Sequence, residues 1–438
     1  MTNRRRGLAA LLLCAALVAC TGEPEPVVTF NPSQAEFTTA EPTSTPAEPP
    51  PVPDAEKLAA ALAKVPSKDL GTTSIVVLDP DGETLVSQSD KALVPASCVK
   101  ILTALAALDV LGPQATFTTT VVAPADGEII LVGGGDPFLV SKASKSPAKP
   151  ALLSDLVDQT VEALQAAGVK KVALGYDDSM FSGPQWAPSW RDEWKPYYAH
   201  ISALMLDDGL KGKLNAASDP SKYTAEQFAK ALKAAGIKVS SIKSRKATGD
   251  EPEIAAVSSA TLEQILEYTI RWSSNVGAEV VLRHLGAASG QKASFTGGTK
   301  ALTEWLQANG LWDSKMVMDG GSGLSSKVKV KTSILAKAVA LSLSDQRWQA
   351  IPAGLPIAGE TGTLKKRFDD AKEAAGIGQV HAKTGTLRDV ASLAGYLITA
   401  DGATLTFAMV ANKTNRQQTK AYNWLDRSAA TIAACGCR

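Results

Sequence analysis

The sequence is organised around Val94-Pro95-Ala96-Ser97-Cys98-Val99-Lys100, which runs directly into the apolar segment Ile101–Leu108. Ser97 and Lys100 lie three positions apart at the start of this segment, which predicts an apolar helix. Residues i and i+3 share one face of a helix, so the serine hydroxyl and the lysine amine can meet. A serine whose proton can pass to a neighbouring, partly desolvated lysine is an activated nucleophile. The segment therefore predicts a nucleophile held in place by a buried helix.

The Ser-x-x-Lys pattern by itself is weak, because it occurs five times in this chain. The other four copies sit in polar surroundings, and none of them opens an apolar helix. They begin at Ser146, Ser240, Ser289 and Ser326. Context therefore favours Ser97, and the competing interpretation on these residues alone is a plain buried helix start.

Composition narrows the class of protein. The 438 residues are enough for two or three domains. An apolar fraction of 45% and a charged fraction of 20% are typical of a soluble globular chain. The formal net charge of +1 argues against nucleic acid as the main partner.

Residues 1–19 predict a secretory signal peptide. A basic segment, Arg4–Arg6, precedes the apolar run Gly7–Val18, which is shorter than the roughly 20 residues of a membrane-spanning helix. The end of the run, Leu17-Val18-Ala19-Cys20, resembles the lipobox of bacterial lipoproteins. The resemblance implies that Cys20 carries the lipid and holds the protein at the extracytoplasmic face of the cell membrane. The alternative is ordinary cleavage near Ala19, in which Cys20 has no role.

Residues 20–53 predict a disordered linker rich in Pro, Thr and Glu. Nine of the 33 residues from 21 to 53 are Pro and five are Glu, and none is Lys or Arg. Such a composition cannot bury a core and favours a semi-extended chain. The linker would hold the folded part away from the membrane surface.

From residue 54 onward the pattern predicts an α/β fold built from both ends of the chain. An early β-hairpin is expected at 74–86, and three strands are expected near the end. These are Gly378–Gly385, Ser392–Thr399 and Thr404–Val410. We therefore assign 54–115 and 256–438 to one catalytic domain and 116–255 to an inserted accessory domain.

Two further motifs occur once each in the chain. Ser273-Ser274-Asn275 lies at a predicted helix break, and Lys383-Thr384-Gly385 ends a predicted strand. Ser-x-x-Lys, Ser-x-Asn and Lys-Thr-Gly in this order are similar to the motif set of serine β-lactamases and penicillin-binding proteins. Each triplet alone is weak, but all three in order are specific.

Longer runs resemble the class C penicillin-binding proteins, which are D-alanyl-D-alanine carboxypeptidases and endopeptidases. The resemblance covers most of residues 57–430 and implies the transpeptidase fold of penicillin-binding proteins and serine β-lactamases. This fold has an antiparallel five-stranded sheet flanked by helices. The runs are Gly133–Pro137, Ser273–Glu279, Ser322–Ser325, Leu355–Gly359 with Gly362–Leu364, and Ala382–Leu387. Two departures are a short insertion and Ser326, where the family commonly has arginine.

The resemblance implies a role for each residue of the first two motifs. Ser97 attacks the carbonyl between the last two D-alanines of a stem peptide, and Lys100 accepts the serine proton. Ser273 relays a proton to the leaving amine. Asn275 holds Lys100 or the substrate amide.

The third motif is expected to bind the substrate. Lys383, Thr384 and Thr386 would hold the terminal carboxylate beside Gly385. The backbone N–H groups of Ser97 and Thr386 would meet the oxyanion. No metal or organic cofactor is required.

The expected partners are peptidoglycan stem peptides, with β-lactam antibiotics as acylating inhibitors. Two alternatives stay open, a β-lactamase and a non-enzymatic penicillin-sensing or wall-binding protein. Three other residues are interpreted as structural: Asp136 as a turn cap, Glu279 as a buried helix partner and Cys98 as a small buried group. For the two C-terminal thiols, a Cys435–Cys437 bridge is one option. His381 lies two positions before Lys383 in the predicted strand, so the two side chains share one face of it. A position of His381 in the cleft lining therefore stays an open alternative.

Overall fold

The first and last strands of the folded chain pair with each other. Strand β1 (Thr72–Leu78) lies antiparallel to β12 (Thr404–Asn412), with Thr73 opposite Ala411. The complete sheet has the order β10-β11-β12-β1-β2, and every neighbouring pair in it is antiparallel. The predicted antiparallel five-stranded sheet, built from both ends of the chain, is confirmed.

The coordinates are a computed structural model that describes residues 49–142, 149–196, 198–212 and 215–436. The remaining strands in this part of the chain are β2 Thr84–Gln88, β3 Ala92–Leu93, β4 Thr118–Ala125, β5 Glu128–Val132, β6 Lys171–Asp177, β7 Lys238–Ser244, β8 Glu253–Ser258, β9 Val330–Lys331, β10 Val380–Leu387 and β11 Val390–Ile398. The helices are α1 Ala55–Ala63, α2 Lys100–Leu111, α3 Leu153–Ala166, α4 Pro220–Ala234, α5 Leu262–Trp272, α6 Asn275–Ala288, α7 Phe295–Ala308, α8 Thr332–Leu343, α9 Ala350–Gly354 and α10 Gln418–Ala433. The predicted signal peptide, Cys20, most of the predicted linker and Cys437 lie outside the described residues.

Helices cover both faces of this sheet. On one face α10 and α1 pack against β11, β12 and β1 through a core that includes Leu393, Phe407 and Trp424. On the other face α8 packs on β1 and β12. Since both faces are covered, β11 and β12 are apolar along almost their whole length.

Helix α2 lies in the middle of the helical layer. It contacts α5, α6, α7 and α8, and every residue from Lys100 to Leu108 is buried. A helix that is apolar on all sides is stable only inside a core. The Lys100 side chain is therefore held inside the protein by its helix.

Residues 118–258 contain a second five-stranded sheet, with the order β7-β6-β5-β4-β8. Strands β5, β6 and β7 are parallel, because α3 and α4 provide the two crossovers between them. Strand β4 pairs antiparallel with β5 and β8. The stretches Thr116–Val122, Ile129–Val132 and Val169–Leu174 predict strands and correspond to β4, β5 and β6, whereas the sequence prediction missed β7 and β8, whose exposed residues are polar.

Residues 178–210 are rich in Trp, Pro and Asp without clear periodicity, which predicts long packed loops, and within their described part we find only short 3-10 turns. At the C-terminus Cys435 is disulfide-bonded, whereas Cys98 is a buried free thiol. No helix in the described ranges is both long and apolar enough to cross a membrane.

Candidate active site

Ser97 lies in a tight 3-10 turn, Ala96–Val99, immediately before α2. The sequence predicted a helix start here, and the structure places one turn of 3-10 helix before the α-helix. Ala96 has a φ of 46°, in the left-handed region that an alanine rarely adopts. Gly323 packs directly against this turn, and no other residue fits at its position, since a Cβ there would lie 2.0 Å from the Ala96 carbonyl oxygen. Strained residues of this kind cluster at functional sites.

The Lys100 amine lies at the centre of a hydrogen-bonded group. Its Nζ is 2.9 Å from Ser97 Oγ, 2.9 Å from Asn275 Oδ1 and 2.6 Å from the Ser322 carbonyl oxygen. The side chain is 1% exposed. Burial, and then the nearby Lys383 charge, hold the pKa of Lys100 well below its usual value. A lysine with a lowered pKa is better suited to act as a general base.

The three partners of Lys100 are not equivalent. Asn275 Oδ1 and the Ser322 carbonyl oxygen can only accept hydrogen bonds, whereas Ser97 Oγ can also donate. A neutral amine has two N–H donors and one lone pair. When the two donors point to the two carbonyl oxygens, the lone pair is left facing the Ser97 hydroxyl. The geometry therefore suits proton transfer from Ser97 to Lys100.

Sequence reasoning missed the part played by Ser322. The run Ser322–Ser325 was noted for its resemblance, but no role followed from it. A backbone carbonyl leaves no signature in the sequence, because every residue has one. The contact is visible only once the turn around Gly321 is placed against α2 and α6.

The Ser-x-Asn motif joins α5 to α6. Ser273 ends α5 with a φ of 59°, and Ser274 caps α6 by accepting the Gly277 N–H at 3.1 Å. Asn275 is the first residue of α6 and reaches Lys100. Ser273 lines the cleft, but its hydroxyl makes no hydrogen bond to Ser97 or Lys100 among the described residues. Its role as a proton relay stays a prediction.

Strand β10 carries the Lys-Thr-Gly motif at the edge of the sheet. Gly385 is needed for close approach, since a Cβ there would lie 2.5 Å from the Pro95 carbonyl oxygen and 3.2 Å from Ser97 N. The strand backbone therefore abuts the turn that holds the nucleophile. Thr386 follows directly, so its N–H is available on the same strand for the predicted oxyanion contact.

Lys383 is fully buried beneath the cleft instead of lying on its wall. Its Nζ donates to the Thr384 carbonyl oxygen at 2.8 Å. Burial lowers the pKa of Lys383 to about 8. Its charge acts on the cleft from below, and direct contact with a substrate carboxylate stays a prediction.

The hydroxyls on the cleft side of β10 have partners that the sequence did not reveal. Thr384 Oγ1 lies 2.8 Å from Thr363 Oγ1, and Thr386 Oγ1 lies 2.8 Å from the Tyr422 hydroxyl. Thr363 belongs to the Gly362–Leu364 run noted above. Tyr422, on α10, had no signal in the sequence. These pairs orient the two threonine hydroxyls along the cleft.

The cleft has a volume of about 790 Å³ and contains Ser97 Oγ at its base. Segment 178–210 contributes Arg191, Trp194 and Tyr198 to one wall, which the sequence did not predict. The full lining is Ser97, Arg191, Trp194, Tyr198, Ser273, Asn275, Gly323, Leu324, Thr363, Arg367, Thr384, Thr386, Leu387, Arg388, Gln418 and Tyr422. Among these described residues three are arginines and none is acidic, but two of the arginines are paired with carboxylates outside the lining, Arg191 with Glu193 and Arg367 with Asp426.

Other residues considered from the sequence lie apart from the cleft wall. Cys98 is buried, with Sγ 3.2 Å from the Lys383 carbonyl oxygen, and burial raises its thiol pKa. Asp136 accepts the Phe138 N–H at 2.8 Å, and burial raises its carboxyl pKa to about 7. His381 stacks on Tyr396 in a separate pocket.

An antiparallel five-stranded sheet with a Ser-Lys-Asn group against its edge strand defines the class of serine acyl-transfer enzymes that penicillin modifies. Residues 54–214 and 210–432 match the model of the D-Ala-D-Ala carboxypeptidase 3 (S13) family. The chain belongs to this family. It is therefore a low-molecular-mass class C penicillin-binding protein, of the serine-type D-Ala-D-Ala carboxypeptidase class.

Relatives extend over nearly the whole chain. Carboxypeptidase DacB of Mycolicibacterium smegmatis is 34% identical over 452 residues, covering 98% of this chain and 96% of the relative. Carboxypeptidase Rv3627c of Mycobacterium tuberculosis is 34% identical over 403 residues, covering 88% and 85%. Penicillin-binding protein 4 of Haemophilus influenzae has the same fold, with a TM-score of 0.69, 19% identity, and coverage of 85% of this chain and 98% of that chain. That protein has also been solved with a β-lactam bound, at a TM-score of 0.63 and 18% identity, covering 86% of this chain and 98% of that chain.

Proposed function

We propose that this chain removes the terminal D-alanine from peptidoglycan stem peptides through an acyl-enzyme on Ser97. The observation that carries the proposal is the position of the Lys100 amine. Its Nζ lies 2.9 Å from Ser97 Oγ and also contacts Asn275 Oδ1 and the Ser322 carbonyl oxygen, so a neutral amine that donates to these two oxygens can accept the Ser97 proton. An activated serine in a cleft that also presents threonine hydroxyls suits acyl transfer from a peptide that ends in a carboxylate.

In the acylation step Ser97 Oγ forms a bond to the carbonyl carbon of the penultimate D-alanine, and its proton passes to Lys100. The N–H groups of Ser97 and Thr386 receive the oxyanion. The C–N bond to the last D-alanine then breaks, and the leaving amine takes up a proton through Ser273. In the second step water attacks the ester and releases Ser97.

The substrate's terminal carboxylate is bound at the β10 side of the cleft. Thr384 and Thr386 present their hydroxyls there, and the buried Lys383 ammonium adds its charge from beneath. The protonated form of Lys383 is the binding form, so binding weakens as Lys383 loses its proton.

Labelling with a fluorescent penicillin tests this proposal. We expect a long-lived adduct on Ser97, identified by mass spectrometry of a proteolytic digest. We also expect free D-alanine from a pentapeptide stem. Absence of both the label and the D-alanine from folded protein would refute the proposed chemistry.

The same experiment separates the two alternatives from the sequence. A β-lactamase would release hydrolysed penicillin rapidly and leave little labelled Ser97. A non-enzymatic sensor would be labelled but would release no D-alanine from stem peptides. An endopeptidase activity would use the same acyl-enzyme with a cross-linked peptide as the leaving group, and product analysis on purified wall dimers would reveal it.

We further propose that the protein is anchored by a lipid on Cys20 at the extracytoplasmic face of the membrane. The support is the basic and apolar leader followed by Leu17-Val18-Ala19-Cys20. Expression in a bacterium that processes lipoproteins should give a membrane-bound protein whose first mature residue is lipidated Cys20. A Cys20→Ala protein should lose the lipid, and an unmodified Cys20 in the wild-type protein would contradict the proposal.

A further inference from the structure

Glu279 is a buried carboxylate that the acyl-transfer steps above do not use. It lies one helical turn after Asn275 on α6, and the side chain is 0% exposed. Its Oε1 accepts the backbone N–H of Gly321 at 3.1 Å and of Ser322 at 2.9 Å. Within the described residues its Oε2 has no hydrogen-bond partner. A buried carboxylate that accepts hydrogen bonds from two backbone N–H groups requires an explanation.

The turn that Glu279 holds is closed tightly over the carboxylate. Gly320 has a φ of +95°, and a Cβ on it would lie 2.9 Å from Glu279 Oε1. From the other side, Thr103 Oγ1 of α2 donates to the Gly321 carbonyl oxygen at 3.0 Å. Thr299 Oγ1 of α7 also accepts the Gly320 N–H at 3.1 Å, so three helices fix the same three-residue turn.

This turn ends in the Ser322 carbonyl oxygen, which lies 2.6 Å from Lys100 Nζ. Asn275, the second acceptor for Lys100, is on the same helix as Glu279 and four residues before it, so the two side chains share a helix face. The residues that direct the two N–H groups of Lys100 are thus connected through α6. A shift of the turn would move the Ser322 carbonyl oxygen, which is one of the two acceptors that orient the Lys100 amine.

The charge of Glu279 also acts on Lys100. Burial and the Lys383 charge lower the pKa of Lys100, whereas the charge of Glu279 raises it. The ionisable groups facing Lys100 are Lys383, Glu279 and the Cys98 thiol. Glu279 itself faces Lys100 and the buried Arg283, which stacks over the Phe295 ring at 3.8 Å.

We propose that Glu279 is a positioning residue of the acyl-transfer site, which holds the Gly320–Ser322 turn so that the lone pair of Lys100 faces Ser97. The inference rests on the proposed acylation of Ser97. It assigns a function to the Ser322 carbonyl oxygen and to the carboxylate that supports it. A purely structural carboxylate would stabilise the turn without influencing the base.

Two substitutions separate position from charge. Glu279→Gln keeps an oxygen that can accept both N–H groups but removes the charge. Its maximal acylation rate by fluorescent penicillin should stay within about threefold of wild type, and the acid limb of the pH–rate profile should move down by about one pH unit. Glu279→Ala also removes the acceptor, and its acylation rate should fall at least about tenfold at every pH.

Thr103→Val provides a milder test, because valine keeps the shape of threonine and removes only the bond to the turn. We expect a fall of about two- to fivefold in the acylation rate. Glu373→Gln is the matched control, since Glu373 is also a buried glutamate but does not line the cleft. It should change thermal stability and leave the pH–rate profile in place. Near-UV circular dichroism confirms that each variant is folded.

The outcomes distinguish this inference from the proposed function. If wild-type protein gives no adduct on Ser97, the proposed function fails. If wild type is acylated, and folded Glu279→Ala and Thr103→Val both keep its acylation rate, the positioning role of Glu279 is refuted alone. A fall of at least about tenfold in Glu279→Ala, with a near wild-type maximal rate in Glu279→Gln and in Glu373→Gln, supports it.

Discussion

The two five-stranded sheets of this protein differ in strand pairing and in burial. In the catalytic sheet all pairs are antiparallel, both faces are covered, and β12 is buried along almost its whole length. In the second sheet three strands are parallel, and the outer strands β7 and β8 each have one buried residue and expose only polar residues. The edge strand of the catalytic sheet approaches the Ser97 backbone closely at Gly385, whereas segment 178–210 contributes Arg191, Trp194 and Tyr198 to the cleft lining.

This difference separates two tasks. Gly385 and Gly323 place two backbone segments against the turn of Ser97, which fixes the reacting atoms. Arg191 and Trp194 form a wall that a substrate touches after it enters. We therefore expect changes near the sheet edge to affect chemistry and changes in the insertion to affect substrate binding.

The largest effect is expected for Ser97→Ala, which removes the nucleophile and leaves the fold in place. Release of D-alanine from a stem pentapeptide should fall at least about a thousandfold, and penicillin labelling should disappear. Thermal unfolding should stay close to wild type because the side chain is small. Unchanged D-alanine release would assign the reaction to another residue.

The next largest effect is expected for Gly385→Ala. Its Cβ would meet Ser392 Oγ at 2.2 Å and the Pro95 carbonyl oxygen at 2.5 Å, so strand β10 must move away from the nucleophile turn. The acylation rate should fall by about a hundredfold. The matched control is Gly212→Ala in the insertion, where nothing lies within 4 Å of the new Cβ. If both variants acylate like wild type, the comparison between the two regions fails.

The pH dependence of kcat/KM should reveal the protonation state of Lys383. Burial lowers its pKa to about 8, and only its protonated form attracts the substrate carboxylate. The kcat/KM for the pentapeptide should therefore fall above about pH 8, by up to about tenfold per pH unit. On the acid side of the profile kcat/KM should also fall, because Lys100 gains a proton and can no longer act as the base. A flat profile from pH 7 to 10 would exclude Lys383 as the carboxylate's counter-charge.

The smallest effect is expected from the insertion. Trp194→Ala removes an aromatic surface from the cleft wall but no reacting group. KM for the pentapeptide should rise about three- to tenfold, with kcat within about twofold of wild type. Arg245→Ala is the control, since Arg245 is exposed, pairs with Glu128 and lies off the cleft. A large fall in kcat for Trp194→Ala would place the insertion within the chemistry.

Burial explains which strands could be predicted from the sequence. Strands β1, β11 and β12 are covered on both faces, so they appear as mostly apolar runs. Strand β7 reads Lys238-Val239-Ser240-Ser241-Ile242-Lys243-Ser244 and is an edge strand, where polar residues protect the open side. Its place in the sheet depends on parallel pairing with β6, which local sequence does not encode.

The same reasoning applies to the site. Ser97, Lys100 and Asn275 could be identified because their side-chain chemistry recurs in fixed motifs. The Ser322 carbonyl oxygen has no side-chain signature, and Tyr422 and Trp194 lie on elements whose packing only the fold reveals. Ser273 reached the cleft as predicted, but its hydrogen-bonding in the reaction stays a prediction.

The contact between Gly323 and Ala96 has a consequence for how the enzyme matures. The two residues are far apart in the sequence, and contacts of this kind form late because the loop between them must first close. The strained turn of Ser97 is held by such a contact, so a partly folded chain has no competent nucleophile. Labelling by penicillin during refolding should therefore appear only with the last structural phase. Penicillin labelling would then report when folding is complete.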